Sequence, residues 1–304
     1  MVLLSLPLFC LSQNTRDYEQ MVYHDRLEEI VRFLADDDMK GRASGTLENT
    51  CAERYIISEF RRLGLAPYNW NYTQSVRCDT IAVRNVVGVL RSARPSDKYI
   101  VVSAHYDHLG EIAGKIYNGA DDNASGVAAL LSIAEMFSKM REEGKGPARN
   151  IIFVAFDGKE CDMAGSRHFV SHLSVPKSSI ICDVNIDMLG TDLVPPGRNG
   201  EYMIFLGEET LPECYQSYVS YLCRRFQYRM DLDQTFYGSR DFAKFFYGMS
   251  DQKSFRDAGI PAVVFSSAFH KHTYKPTDDP EIINYPLLRK RILVIFNFIN
   301  HLCS

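Results

Sequence analysis

No stretch of the 304-residue chain approaches the ~20 consecutive apolar residues that a membrane-crossing helix needs, so no transmembrane helix is expected. The eight cysteines form no CxxC pair and no zinc-knuckle spacing, which argues against a cysteine-built metal site. Internal repeats, low-complexity tracts and Gly/Ser linkers are missing too, excluding solenoids and tethered arrays. There is no basic stripe: 34 basic and 38 acidic residues are scattered to a net charge of -4, and nucleic acid is excluded as a partner. What is present, 46% hydrophobic and 24% charged residues, is enough to bury a full core.

The amino terminus, MVLLSLPLFCLSQ, is apolar, too short to span a bilayer and ends in small residues, as a secretory leader does, although it lacks a Lys or Arg before the apolar run. It predicts a leader over residues 1–12, cleaved after Ser12, with a buried first strand as the alternative. A lipoprotein anchor on Cys10 is disfavoured by bulky Phe9 before it. Cleavage would leave a single domain over residues 13–304 with a helical lead-in, secreted or periplasmic, carrying seven cysteines that cannot all pair within one chain. An oxidising compartment permits bridges, for example Cys214 with Cys223, while Cys161 reads as a small buried apolar residue.

Continuous apolar runs predict strands over Arg84 to Leu90, Tyr99 to Ala104, Asn150 to Phe156, Ile180 to Met188, Tyr202 to Leu206 and Pro261 to Ser266, because strands buried on both faces need not alternate. Helical spacing of Val127, Leu130, Leu131, Ala134 and Phe137 predicts a helix over Ala124 to Met140. Leu288, Ile292, Ile295, Phe296, Ile299 and Leu302 predict a second near the end. Strands alternating with helices imply βαβ units and an α/β fold around a mostly parallel sheet.

In such sheets function gathers beyond the carboxyl ends of the strands. Four successive elements deliver a His or carboxylate there: His105-Tyr106-Asp107-His108, the loop Asn118 to Gly126 with Asp121 and Asp122, Asp157-Gly158-Lys159-Glu160-Cys161, and Asp187-Met188. Singly, each has a plainer account. His-x-Asp is common in surface loops, and Asp-Asp-Asn-Ala-Ser before a helix is a good amino-terminal cap. Asp187, ending an apolar strand, is harder to dismiss, since a buried carboxylate needs a partner or a metal.

In order and spacing HYDH, GADDNASG, the Glu160 loop followed by AGS, NIDMLG, SDQKSF with GIP, and KPTDD resemble the co-catalytic zinc aminopeptidases of the aminopeptidase Y and bacterial leucyl aminopeptidase type, a family that also contains the glutaminyl cyclases. The resemblance runs from about Asp36, at DDDMKGRASGTLEN, to the final helix. It implies a three-layer α/β fold, its mixed sheet of about eight strands flanked by helices. Position by position it implies His105 and Asp187 as ligands of the first zinc, Asp107 as the carboxylate orienting that histidine, Asp122 as the bridge between two metals and Glu160 as a ligand of the second. A one-residue slip would exchange Asp121 and Asp122.

Two positions depart from that pattern. Lys159 stands where the family has a glutamate general base, and carboxylates nearby would keep its proton on. Aligning Pro276-Thr277-Asp278 with the closing motif puts Tyr274 where the second zinc's histidine belongs; His270 or His272 would substitute only if the loop shifts. Gln252 replaces a histidine outside the metal set. Lys159 either turns into solvent or brings an ammonium to the second metal's carboxylates. One zinc or none is therefore expected where the family holds two. Three functions follow in order: a metallo-aminopeptidase acting on peptides, a catalytically impaired peptide-binding protein, and last a glutaminyl-cyclase-like transferase.

Overall fold

The structure, a computed structural model, describes residues 15–193, 198, 200–225, 227–236 and 238–304; the expected leader over residues 1–12 lies outside them. Its strands are β1 Ala66–Pro67, β2 Thr73–Cys78, β3 Ile81–Leu90, β4 Tyr99–His105, β5 Gly110–Ile112, β6 Lys115–Tyr117, β7 Asn150–Phe156, β8 Ile180–Ile186, β9 Tyr202–Leu206, β10 Asp231–Asp233 and β11 Ala262–Ser266. Nine of them form one sheet in the order β1-β3-β7-β4-β8-β11-β9-β10, with β2 also paired to β3, and β5 and β6 make a separate hairpin. The central strands β7, β4, β8 and β11 are parallel. Antiparallel β3 and β9 flank them. All six strands expected from apolar runs form, with ends shifted by up to three residues; β1, β2, β5, β6 and β10 are additions from short or polar segments.

The helices are α1 Arg16–Glu19, α2 His24–Leu34, α3 Leu47–Arg62, α4 Gly126–Glu142, α5 Ala164–Ser171, α6 Tyr218–Arg224, α7 Arg240–Tyr247, α8 Gln252–Asp257 and α9 Tyr285–Leu302. Alternation along β7 builds the layers. Ile151, Phe153 and Ala155 join a core with Leu130 and Phe137 of α4, Ile292 and Phe296 of α9 and Leu27 and Val31 of α2. Ile152, Val154 and Phe156 face the opposite way, among Phe169 of α5 and Phe255 of α8. Each such side chain contributes roughly 1.5–3 kcal/mol on burial, so both faces must be covered and the chain makes three layers. No described helix is long and apolar enough to cross a membrane.

Polar side chains also lie inside the sheet, Ser103, Asp183 and Asn185 among them. Asp183 of β8 is fully buried; Oδ1 accepts a hydrogen bond from Ser103 Oγ at 2.9 Å and Oδ2 has no partner. Burial, reinforced by Asp251, raises its pKa well above the carboxylate range despite the Ser103 bond. The folded state therefore holds this proton more tightly than the unfolded chain, whose aspartates titrate near ~3.9. Stability from this group is complete below that value and is lost as pH rises toward the folded pKa, by at most ~1.4 kcal/mol per pH unit. Asp183→Asn should flatten the fall of Tm between pH 5 and pH 8; an unchanged slope in thermal melts would contradict this.

Candidate metal centre

The carboxyl edge of the sheet gathers the ligand loops. His105 ends β4, Lys159 and Glu160 follow β7, Asp187 follows β8, and Asp122 lies in the turn leading into α4. His105 Nε2 lies 3.2 Å from Asp122 Oδ1 and 3.2 Å from Asp187 Oδ1. Its Nδ1 faces the backbone carbonyl of Asp107 at 3.1 Å, the Asp107 carboxylate standing 3.8 Å away. The two oxygens of that carboxylate accept the backbone N–H groups of Lys159 and Glu160, each at 3.1 Å, and so fix the loop after β7. Asp107 reaches the site both through its carbonyl, at His105, and through its side chain, at Lys159 and Glu160.

The turn carrying Asp122 is held from three sides. Asp278 accepts the N–H groups of Asp121 and Asp122 at 2.8 and 3.0 Å. Burial and neighbouring Asp121 push the Asp278 pKa up to about 7. Asn123 donates to Ile186 O at 2.9 Å and accepts from Met188 N at 3.0 Å, tying the turn to the end of β8, and also accepts from Gly126 N at 3.1 Å, capping α4. The helix expected from Ala124 thus starts at Gly126, because Asp122 and Asn123 leave helical geometry to present the carboxylate. Arg42, wholly buried, donates to the carbonyls of Tyr106 (2.7 Å), Leu34 (2.8 Å), Gly119 (2.7 Å) and Asn118. Gly119 is required at its place: its φ is +63° and a Cβ would lie 2.5 Å from the His108 ring.

Lys159 turns inward. It is 8% exposed, with Nζ 2.8 Å from Glu160 Oε1, 3.7 Å from Asp122 Oδ1 and donating to the Tyr274 hydroxyl at 3.2 Å. Burial works against its charge, but Asp122, Asp187 and Glu160 outweigh burial and hold the ammonium protonated well above the usual lysine range. Burial pushes Tyr274 up to about 12, Lys159 opposing, so its oxygen is a neutral phenol near pH 7. His108 is buried beside Asp122, Nδ1 3.9 Å from Oδ2. Burial takes its pKa down to about 3 against the pull of Asp122, leaving a neutral ring.

Among the described residues, two three-residue groups bring ligand atoms within 4.8 Å of one another: His105 with Asp122 and Asp187, and His108 with Asp122 and Glu160. Ligands ~2.1 Å from one tetrahedral ion lie about 3.4 Å apart, so the 3.2 Å spacings around His105 suit zinc as they stand. Neither Asp122 oxygen has a hydrogen-bond partner, an arrangement a cation would satisfy.

The sequence profile of peptidase family M28 matches residues 85–299. The chain belongs to peptidase family M28. It is 29% identical over 201 residues, 66% of its own length, to a putative zinc metalloprotease of Saccharomyces cerevisiae, TRE2, and covers 22% of that protein. The chain spans about a fifth of the length of the first curated relatives it matches. Among solved structures, the Legionella pneumophila LapA aminopeptidase superposes with a TM-score of 0.75 at 17% identity, covering 95% of this chain and 73% of that one. The Porphyromonas gingivalis glutaminyl cyclase superposes with a TM-score of 0.68 at 18% identity, covering 92% and 99%.

Asp122, not Asp121, joins the cluster; Asp121 instead lies 3.0 Å from His270 Nε2 and accepts from Ser125 and Ser267. His270 is thereby committed, and His272 lies 2.8 Å from Thr277 Oγ1, so neither stands in for Tyr274. Gln252 is buried between Asn185 and the Tyr247 carbonyl, apart from the ligands. Cys161 is half-buried, Cys78 Sγ lying 3.7 Å from its carbonyl. Cys214 is exposed and Cys223 buried, both with free thiols.

Two residues at the site carried no assigned role in the sequence reading. His108 is the last residue of HYDH and could have been suspected because it is a second polar group in a short loop otherwise bound for the interior. Arg42 carries no such signal; an isolated arginine after Lys-Gly reads as a surface residue.

Proposed function

We propose that this M28 protein is exported, loses residues 1–12, and as the domain over residues 13–304 binds peptides at a one-zinc centre of His105, Asp122 and Asp187 while hydrolysing them weakly. What carries the reading is the Lys159 ammonium, 2.8 Å from Glu160 Oε1 and 3.7 Å from Asp122 Oδ1, in the position a second cation would take. Three carboxylates, one divalent ion and one ammonium sum to zero charge, so the buried cluster is balanced without a second metal. When bound, zinc supplies Lewis acidity toward a peptide carbonyl and a water. The chain contributes no matching base: Lys159 keeps its proton and Tyr274 is a phenol. A peptide's own amino terminus also meets a like charge at Lys159. The cyclase-like reading ranks last, because it draws on Asp122, Glu160 and position 274.

The direct test is metal content after purification without chelators, with anomalous scattering to count ions. One zinc per chain is expected; two peaks about 3.5 Å apart, as in paired sites, would overturn the reading. Amino-terminal sequencing of the exported protein checks cleavage after Ser12.

EDTA should strip the metal and leave the fold standing, because none of the proposed ligands belongs to the apolar clusters on either face of the sheet. Loss of the helical far-UV signal in EDTA would refute this.

A further inference from the structure

We propose that His108, Asp122 and Glu160 form a second divalent-cation site that the Lys159 ammonium keeps closed, His108 supplying the imidazole that position 274 does not. The inference rests on the reading of Lys159 as the resident cation. His108 is 1% exposed and neither ring nitrogen has a hydrogen-bond partner. A buried ring with two unsatisfied nitrogens is costly and rare. The ring is nonetheless held in place, with Gly119 giving up its side chain to admit it.

The three residues already offer one ligand atom each within 4.8 Å. His108 Nδ1 and Asp122 Oδ2, 3.9 Å apart, need to close by about 0.5 Å to reach the ~3.4 Å spacing of tetrahedral ligands. One imidazole and two carboxylates suit zinc or cobalt. What stands in the way is Lys159, whose Nζ bridges the same two carboxylates. An ammonium and a divalent ion cannot share that space, so removing the ammonium opens the site. Tyr274 is not needed in this arrangement. Its hydroxyl touches Lys159, and its ring lies under the ammonium at 5.2 Å.

Cobalt(II) titrations, followed by calorimetry and by d–d absorption, test this with the whole chain. The native protein should bind one ion and Lys159→Met two. Lys159→Met with His108→Leu, and Lys159→Met with Glu160→Gln, should each return to one, the first-site affinity staying within about threefold as a control for folding. Lys159→Met with Tyr274→Phe should keep two. If Lys159→Met takes up only one ion, or if its second ion survives His108→Leu, the inference fails. Two ions on the native chain would instead sink the one-metal reading on which it rests.

Discussion

Lys159→Glu combined with Tyr274→His is expected to raise hydrolysis of aminoacyl-p-nitroanilides in added zinc by about 10²- to 10⁴-fold over the native chain, the range a positioned general base supplies. The glutamate restores a carboxylate able to take a proton from water where the native chain has only a locked ammonium. It also frees Glu160 and Asp122, which Lys159 Nζ now bridges. The histidine replaces a phenol whose pKa of about 12 makes it a poor ligand with an imidazole that needs no deprotonation near pH 7. Charge closes as well: four carboxylates balance two divalent ions, as three carboxylates balance one ion and Lys159 in the native chain.

The single variants should not share the gain equally. Tyr274→His alone leaves the ammonium in place and should change the rate less than threefold. Lys159→Glu alone opens the second site with His108 as its only imidazole, so it should gain part of the increase. The effects are then more than additive, as for residues that act as a unit. A native chain already turning over as fast as the double variant would show that Lys159 does not block the chemistry. A Lys159→Glu variant equal to the double would show that Tyr274 has no part in it.

The sequence exposed what depends on local pattern. The parallel strands were legible because Ile151 to Phe156 and Tyr99 to Ala104 are buried on both faces and so read as unbroken apolar runs. The ligand loops were legible because each follows such a strand. Edge strand β2, Thr-Gln-Ser-Val-Arg-Cys, was not, since its half-buried side chains leave a polar alternation indistinguishable from a loop. The helix before residue 126 was over-extended because propensity says nothing of Asn123 reaching across to β8. Whether Lys159 points to solvent or inward is decided by Asp122, Glu160 and Tyr274, which lie 37, 1 and 115 positions away, a relation no local pattern encodes. His108 was named without a role for a related reason: Asp122, 3.9 Å from its ring, is brought there by the turn that Arg42 and Asp278 hold.

Arg42 should prove the most sensitive single position for stability outside the apolar core. Its guanidinium is wholly buried and donates to four backbone carbonyls from three segments, those of Leu34, Tyr106 and the adjacent Asn118 and Gly119. Burial lowers its pKa to about 10, with Asp278, Asp122 and Asp107 opposing, so it stays charged near pH 7. Arg42→Met keeps much of the volume and removes every donor. Four buried carbonyls then lose a donor, that of Gly119 keeping only the Ala124 N–H, and three acidic side chains lose a compensating charge, a change of the kind that costs about 3–5 kcal/mol. Arg42→Lys keeps the charge, but a single ammonium on a flexible stem cannot span carbonyls that a planar fork reaches together, and about 2 kcal/mol should still be lost. Urea denaturation with an unchanged m-value measures both. Because Asn118 and Gly119 lead directly into Asp121 and Asp122, zinc affinity should fall together with stability. A variant Arg42→Met that unfolds at the native urea midpoint would mean that water replaces the guanidinium at these carbonyls, and the turn carrying Asp122 would have to be held by Asp278 and Asn123 alone.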